Sequence, residues 1–144
     1  MTSVFLPGIE LARRCYGEVV APILETALSG VPYSAALIGT GSEVQSFDSV
    51  RSTDHGWGPR MQVFLDSADF HTHAEQLDAR LDRELPAEFH GYPYRFARPD
   101  DAPVRHHVDV HDLRAFFTGG LGADPDTGLS ALDWLMVPTQ VLRE

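Results

Sequence analysis

The stretch GTGSEVQSFDSVRSTDHGWGPR, residues 39–60, decides how this chain is interpreted. It opens with a glycine-rich turn, GTGS at residues 39–42, directly after the apolar run of residues 35–38, and its DHGW cluster at residues 54–57 precedes a second apolar run, residues 63–65. Glycines let a backbone approach a ligand closely, and N–H groups at a helix start attract anions. A carboxylate held opposite them can carry a divalent cation that bridges to the same phosphates. The stretch therefore predicts a site for phosphate and metal.

The spacing of three features carries a resemblance to a known family. Gly41-Ser42 is followed by Asp54 at the entry to a strand, and a later strand carries Asp109. This pattern resembles the nucleotidyltransferase superfamily of the DNA polymerase beta type. The segments FLPGIELARR, PYSAALIGTGSEV, STDH, WGPR, DLRAFF and DWLMVP resemble a bacterial subfamily of unknown function within it, over most of the chain. One position departs from the pattern, because the second carboxylate of the family's Asp-x-Asp pair falls on Gly56.

The resemblance implies a role for each of these residues. Gly41 and Ser42 would bind a nucleoside triphosphate, with ATP the expected one, through backbone N–H groups and the hydroxyl. Asp54 would bridge two Mg²⁺ (or Mn²⁺) ions, and Asp109 would hold the ion that activates the acceptor hydroxyl. The implied reaction is transfer of a nucleotidyl group to a small-molecule or protein hydroxyl.

Gly56 leaves an alternative open. Losing a negative ligand that acts on both metal ions is expected to cost about 10²–10³ in rate or more. The alternative is therefore a catalytically impaired domain that binds nucleotide or a protein partner. Glu43, Asp48 and His55 are the nearby side chains that are candidates to replace the missing carboxylate.

Composition limits the class of partner. The chain has 144 residues and a formal net charge of -10, and arginine supplies every basic side chain other than histidine. Such acidity argues against binding to extended nucleic acid, whereas a single nucleotide needs only a metal ion and a few arginines. The only cysteine, Cys15, excludes an intrachain disulfide and is expected to be a small buried residue. No apolar run is long enough to span a bilayer, so we expect a cytoplasmic protein without a membrane partner.

Periodicity and chain breakers predict the first half of an α/β fold. A first helix is expected from residue 7 to about residue 28, with a break near residues 20–21 because Pro22 lies inside it. The apolar run of residues 33–38 predicts a strand at the centre of the sheet, and Gly41-Ser42 is expected to start a short helix. A second strand, Arg60–Leu65, follows the breaker Gly58-Pro59, which leaves Asp54 just outside that strand.

The second half continues the alternation. Asp66 or Ser67 is a candidate cap for a helix to about residue 85, and residues 90–103 predict a loop with a short strand at residues 94–96. Residues 105–110 predict a strand, and Asp112 is expected to cap a helix that the glycines at 119, 120 and 122 end. Ser130-x-x-Asp133 predicts a further helix. These elements give one nucleotidyltransferase-like domain, residues 1–144, with a small mixed sheet flanked by helices and a short helical C-terminal extension from about residue 129.

A histidine-rich strand offers a rival site. Side chains alternate along a strand, so His107-x-Asp109-x-His111 places three potential ligands for zinc, manganese or iron on one face, and Asp54 and His55 are candidates to complete the set. The competing interpretation is that His106, His107 and His111 are exposed polar residues at an edge. Aromatic residues near the site either stack on a base or pack a loop onto the core; they are Trp57, Tyr92, Tyr94 and Phe96.

Overall fold

The structure, a computed structural model, describes residues 5–39, 41–54, 56–97, 103–122 and 124–136, with Asp54 and Pro125 described by their backbone alone. It is a mixed α/β structure with helices packed on a small sheet. The helices are α1 (Gly8–Cys15), α2 (Ala21–Ala27), α3 (Ser67–Glu84), α4 (Leu113–Leu121) and α5 (Ala131–Met136). The strands are β1 (Ser34–Ala36), β2 (Arg60–Leu65), β3 (Glu88–Phe89), β4 (Tyr92–Pro93), β5 (Arg95–Phe96) and β6 (Arg105–Asp112).

The main sheet has the strand order β1-β2-β6-β5 and mixes both directions of pairing. Strand β2 runs parallel to β6, while β1 pairs antiparallel with β2 and β5 pairs antiparallel with β6. The parallel pair requires a crossover, which α3 supplies. Strands β3 and β4 form a separate antiparallel hairpin. The predicted small mixed sheet is thus confirmed, and β2 has the predicted bounds.

Strand β1 lies at an edge of the described sheet, so its predicted central position is wrong. It covers only Ser34–Ala36 of the predicted residues 33–38 and pairs with β2 alone. Its apolar neighbours face helix α1 across a groove of about 250 Å³, lined by Ile9, Ala12, Arg13, Tyr16, Ala35, Ala36, Leu37 and Met61. Apolar residues on both faces of a strand do not distinguish a central strand from an edge strand that a helix covers.

The first predicted helix is present and changes its winding before Pro22. A π-helical segment, Tyr16–Val20, separates α1 from α2, and Pro22 lies in the first turn of α2. Proline has no N–H and clashes with the carbonyl group four residues earlier, and the wider π turn accommodates this defect. The predicted break near residues 20–21 is therefore not present: the backbone stays helical from Gly8 to Ala27, and the irregularity before Pro22 is the π-helical segment Tyr16–Val20.

The core lies on the face of the sheet that α1, α2 and α3 cover. Its members are almost fully inaccessible to solvent and include Leu11, Cys15, Leu24, Met61, Val63, Leu65, Leu77, Leu81, Tyr94 and Val108. Helix α3 begins after Asp66, whose carboxylate accepts the N–H of Asp69 at 2.9 Å. Cys15 is buried as predicted and lies 2.9 Å from the hydroxyl of Tyr94; burial raises the pKa of its thiol to about 11. The thiol is therefore protonated at neutral pH.

The last helices follow the predicted caps. Asp112 caps α4, which continues through Gly119 and Gly120 and ends at Gly122, so the first two glycines do not terminate it. Ser130 and Asp133 form the predicted reciprocal cap of α5. The rest of the helical extension expected from about residue 129 lies outside the described residues. No helix in the described part of the chain has the length and apolar character to cross a membrane.

Candidate functional site

Two neighbouring strands bring polar side chains together on the side of the sheet opposite the core. In the parallel register, Arg60 of β2 is the partner of His107 of β6, and Gln62 is the partner of Asp109. Side chains of partnered residues point to the same face, and the alternating residues of both strands point into the core. We call this surface the polar face; its residues are Arg60, Gln62, His107, Asp109 and His111.

The predicted glycine-rich turn is a turn and not the start of a helix. The N–H of Ser46 donates to the carbonyl of Glu43 at 3.2 Å, and the N–H of Phe47 donates to that of Ser42 at 2.9 Å. Ser46 has a φ of 58°, a left-handed conformation that ends any helical progression. The side chain of Ser42 is exposed, and its hydroxyl donates to Ser52 at 3.4 Å. The turn therefore presents the Ser42 hydroxyl at the surface.

Gly41 connects this turn to the polar face. Its φ is 144°, and a Cβ at this position would lie 2.6 Å from Oε2 of Glu43 and closer still to Nη2 of Arg60. No side chain fits there without moving the Glu43 or Arg60 side chain. Side chains of the protein itself, those of Glu43 and Arg60, approach the Gly41 backbone in this structure, and the predicted approach of a phosphate stays a prediction.

Glu43 and Arg60 form that ion pair, with Nε of Arg60 2.5 Å from Oε1 of Glu43. Asp48, from the same loop, accepts the N–H of Gly8 at the start of α1 at 2.6 Å. Two of the three side chains considered as replacements for a carboxylate at position 56 are thus already engaged. The third, His55, lies outside the described residues.

Asp54 and Gly56 lie on the approach to β2. The backbone of Asp54 ends a 3₁₀ helix, Val50–Asp54, so the residue is outside the strand, as predicted. The hydrogen bond between Ser42 and Ser52 holds this helix beside the glycine-rich turn. Gly56 has a φ of 54°, and a Cβ there would lie 2.9 Å from the carbonyl oxygen of Ala97. The prediction that Asp54 and Asp109 hold the same metal ions concerns the side chain of Asp54, which lies outside the described part of the chain.

Asp109 is half-buried and is one of the residues that line a cavity beside β6. This cavity, about 610 Å³, runs between β6 and α3 and is lined by Phe70, His71, Ala74, Glu75, Asp78, Arg105, Asp109, Val110 and His111. Its lining contains three carboxylates and one guanidinium. Helix α3 covers the core face, whereas the side chain of Asp109 lies on the opposite face with its partner Gln62, so this cavity and the polar face are on different sides of β6.

The histidines of β6 do not form the rival metal site within the described residues. His107, Asp109 and His111 share a face, as predicted, but no group of three metal-ligating side chains is close enough to hold an ion in the described chain. The Nε2 atom of His107 lies 2.8 Å from the carbonyl of Phe96, and its ring stacks on Phe96 at 3.8 Å. His106 and His107 are both 1% exposed, so the competing interpretation of exposed edge residues is also wrong for them.

His106 is a buried polar residue whose environment the sequence analysis did not anticipate. Its side chain points to the core side of the sheet, where Nε2 lies 3.4 Å from a carboxylate oxygen of Asp78 on α3. Burial lowers the pKa of His106, with Asp78 acting in the opposite direction and Arg105 adding to the lowering. The ring is therefore neutral at pH 7. The alternation of residues 105–110 was the available signal, since it places His106 on the same face as Val108.

The aromatic residues pack the loops onto the core. Trp57 is 7% exposed and meets Tyr92 edge to face at 4.6 Å, and Tyr94 is fully buried. Phe96 lies against His107. Trp57 and Tyr94 are therefore core residues, and no stacking surface for a base is assigned to them.

The site thus contains an exposed hydroxyl, a partly buried guanidinium and a half-buried carboxylate, all around strands β2 and β6. Comparisons of the chain with protein-family models, with curated proteins and with solved structures found no match. Any assignment of function consequently rests on the residues themselves. Oxygen ligands suit Mg²⁺, and arginine with backbone N–H groups suits phosphate.

Proposed function

We propose that the chain is a nucleotidyltransferase-like protein. It binds a nucleoside triphosphate, expected to be ATP, together with Mg²⁺ (or Mn²⁺), and it transfers the nucleotidyl group to a small-molecule or protein hydroxyl. The observation that carries the proposal is the convergence around β2: Gly41 lies against the side chain of Arg60 at the start of β2, and Asp109 is partnered with Gln62 in the same strand. The three parts of the sequence pattern thus lie in or beside neighbouring strands, as a common phosphate and metal site requires.

The proposed division of roles follows from the chemistry of each group. The Gly41-Ser42 turn binds phosphate oxygens, since glycine leaves the backbone accessible and the Ser42 hydroxyl is exposed. Asp109 and Asp54 supply carboxylates for the metal ions. A divalent ion held by these carboxylates would supply orientation of the attacking hydroxyl and charge neutralisation at the α-phosphate.

Calorimetric titration with ATP, GTP, CTP and UTP, each with and without MgCl₂, tests the proposal. Binding of at least one nucleotide that requires the metal is the expected result. Asp126→Asn is a suitable control, because this carboxylate is 72% exposed and is not among the residues proposed to bind, and it should bind as the wild type does. A chain that binds no nucleotide under either condition would overturn the proposal.

A second candidate, a catalytically impaired domain that still binds nucleotide, is favoured by the geometry of Gly56. Its φ is 54°, and the carbonyl oxygen of Ala97 lies 2.9 Å from the position that a Cβ would take, so this backbone suits glycine. Among other residues, asparagine and aspartate tolerate such a φ best. A carboxylate introduced there would require the backbone at Ala97 to move, so the local structure disfavours the side chain that the family pattern has at this position.

Two variants at this position separate the candidates. Gly56→Asp restores the missing charge, and Gly56→Asn has the same shape without it. If the wild type is impaired, Gly56→Asp should release pyrophosphate from nucleoside triphosphate faster than both the wild type and Gly56→Asn. Equal rates in all three would sink the account of Gly56 as the missing ligand. Measurable transfer by the wild type itself would favour the active enzyme.

A further inference from the structure

The ion pair of Glu43 and Arg60 is enclosed to an unusual degree for a pair at a loop. The two side chains are only 11% and 18% exposed, and the Nε and Oε1 atoms are 2.5 Å apart. Arg60 is the first residue of β2 and belongs to the polar face, while Glu43 belongs to the glycine-rich turn. The pair therefore joins the two parts of the proposed site.

Two glycines make room for the Glu43 carboxylate. A Cβ on Gly8 would lie 2.5 Å from Cβ of Glu43, and a Cβ on Gly41 would lie 2.6 Å from its Oε2. The side chain of Glu43 thus reaches Arg60 past Gly8 and Gly41, where a residue with a Cβ would collide with it. The carboxylate oxygens occupy the position beside the Gly41 backbone where the proposed function expects an anion.

A second carboxylate of the same loop accepts a hydrogen bond from a different donor. Asp48 accepts the N–H of Gly8 at 2.6 Å, at the N-terminal end of α1. A guanidinium and a helix N-terminus are the two kinds of donor that proteins use for phosphate oxygens. In this structure, both donors bind carboxylates from residues 43–48. The guanidinium of Arg60 binds Glu43, and the N–H of Gly8 binds Asp48.

We propose that Arg60 is the residue that contacts the triphosphate, and that Glu43 occupies Arg60 until the nucleotide displaces it. The inference rests on the proposed function for the identity of the anion. A guanidinium presents two parallel N–H groups that match phosphate oxygens, and a triphosphate carries more negative charge than one carboxylate. Phosphate therefore competes with Glu43 for the guanidinium of Arg60. The apparent affinity for phosphate is reduced in proportion to the fraction of molecules in which Arg60 is not bound to Glu43.

The test uses inorganic tripolyphosphate without metal, so that it depends on the anion site alone. Glu43→Gln keeps the size of the side chain and removes its charge, and should tighten tripolyphosphate binding by about tenfold. Arg60→Gln should weaken the binding by about tenfold or abolish it. A purely structural ion pair would give both variants a lower melting temperature and a change of binding in the same direction, or none, and either result would overturn the inference.

Matched controls come from the exposed ion pair of Arg114 and Asp124, whose atoms are 2.6 Å apart in another part of the chain. Asp124→Asn and Arg114→Gln should leave tripolyphosphate binding unchanged. If Arg60→Gln does not fold, as judged by far-ultraviolet circular dichroism, Arg60→Lys decides the matter, because it keeps the charge but loses the planar fork. It should bind more weakly than the wild type, and unchanged binding would contradict the inference.

The two proposals fail in distinguishable ways. If the wild type does not bind magnesium nucleotide but Glu43→Gln binds tripolyphosphate, the proposed function is overturned and the assignment of Arg60 stands. If the wild type binds magnesium nucleotide and neither Arg60→Gln nor Glu43→Gln alters anion binding, the assignment of Arg60 is overturned and the proposed function stands.

Discussion

Strand β2 has one apolar face and one mixed face, on which Phe64 packs against His111 and Phe116 beside the polar residues. Met61, Val63 and Leu65 point into the apolar core beneath the helices and are no more than 2% exposed. On the opposite side, Gln62 is 9% exposed, and its side-chain carbonyl oxygen accepts the N–H of Ile38 at 3.0 Å. Arg60 on that side is held by Glu43. A single strand of six residues therefore supports both the core and the polar face.

The two faces meet different physical requirements. The core face stabilises the fold, and the polar face carries the residues of the proposed site. Apolar groups need only be covered, whereas a buried polar group destabilises the fold unless it finds a partner. The polar face meets that requirement with specific contacts, among them the contact of His107 with Phe96.

Breaking the core face should have the largest effect. Val63→Asp buries an unpaired charge in a residue that is 0% exposed, and we expect the free energy of unfolding to fall by about 4 kcal/mol or more. Urea denaturation followed by circular dichroism measures the change. Val50→Asp, at a valine that is 67% exposed, should remain within about 0.5 kcal/mol of the wild type. Similar losses in the two variants would refute the division of the strand into faces.

On the polar face, the same kind of change should affect binding and not folding. Asp109→Asn removes a proposed metal ligand while keeping the size of the side chain, so magnesium nucleotide should bind about tenfold more weakly or worse. Calorimetry measures the affinity, and the denaturation midpoint should stay close to that of the wild type. Unchanged affinity would remove Asp109 from the proposed site. The exposed Asp126→Asn again serves as the control.

His106 should make the stability of the core face depend on pH. Burial lowers its pKa in the folded chain below the ordinary value of 6.5. As the pH falls through 6.5, the unfolded chain takes up a proton that the folded chain resists, so the free energy of unfolding decreases. His106→Gln should lose less stability than the wild type between about pH 7.5 and about pH 5.5 in urea denaturation. Equal losses would mean that His106 is not buried in its neutral form.

The helix that covers the core face should tolerate loss of its cap. Asp66→Ala removes the acceptor for the N–H of Asp69 and should cost about 1 kcal/mol in the free energy of unfolding. Asp66→Asn keeps an acceptor and should cost less. Magnesium nucleotide binding should be the same in both variants and the wild type, because Asp66 caps α3 and is not one of the residues proposed to bind the nucleotide. A change in binding would show that the two faces are coupled.

The elements that the sequence predicted best depend on local chemistry. The bounds of β2 follow from the breaker Gly58-Pro59 and the apolar run after it, and α3 and α4 follow from Asp66 and Asp112 as caps. The edge position of β1 was not predictable, because cover by α1 gives it the apolar pattern of a central strand. The π-helical segment was indicated only by Pro22.

The site was predictable in its residues and not in its contacts. Gly41, Ser42 and Asp109 were identified by type and spacing. The ion pair of Glu43 with Arg60 and the hydrogen bond of Asp48 to Gly8 join residues 17 and 40 positions apart, and no local pattern indicates them. The expected short helix at Gly41-Ser42 is a turn, and the left-handed conformation of Ser46 ends it.

The most direct test of the central claim, that the polar face is a magnesium-nucleotide site, is to map the backbone amide signals of the ¹⁵N-labelled chain by nuclear magnetic resonance while MgATP is added. The account predicts shifts that cluster at Gly41, Ser42, Arg60 and Asp109, with the signals of α1 and α2 little changed. Shifts confined to the helices would contradict it. So would the absence of any shift at the highest MgATP concentration that stays dissolved.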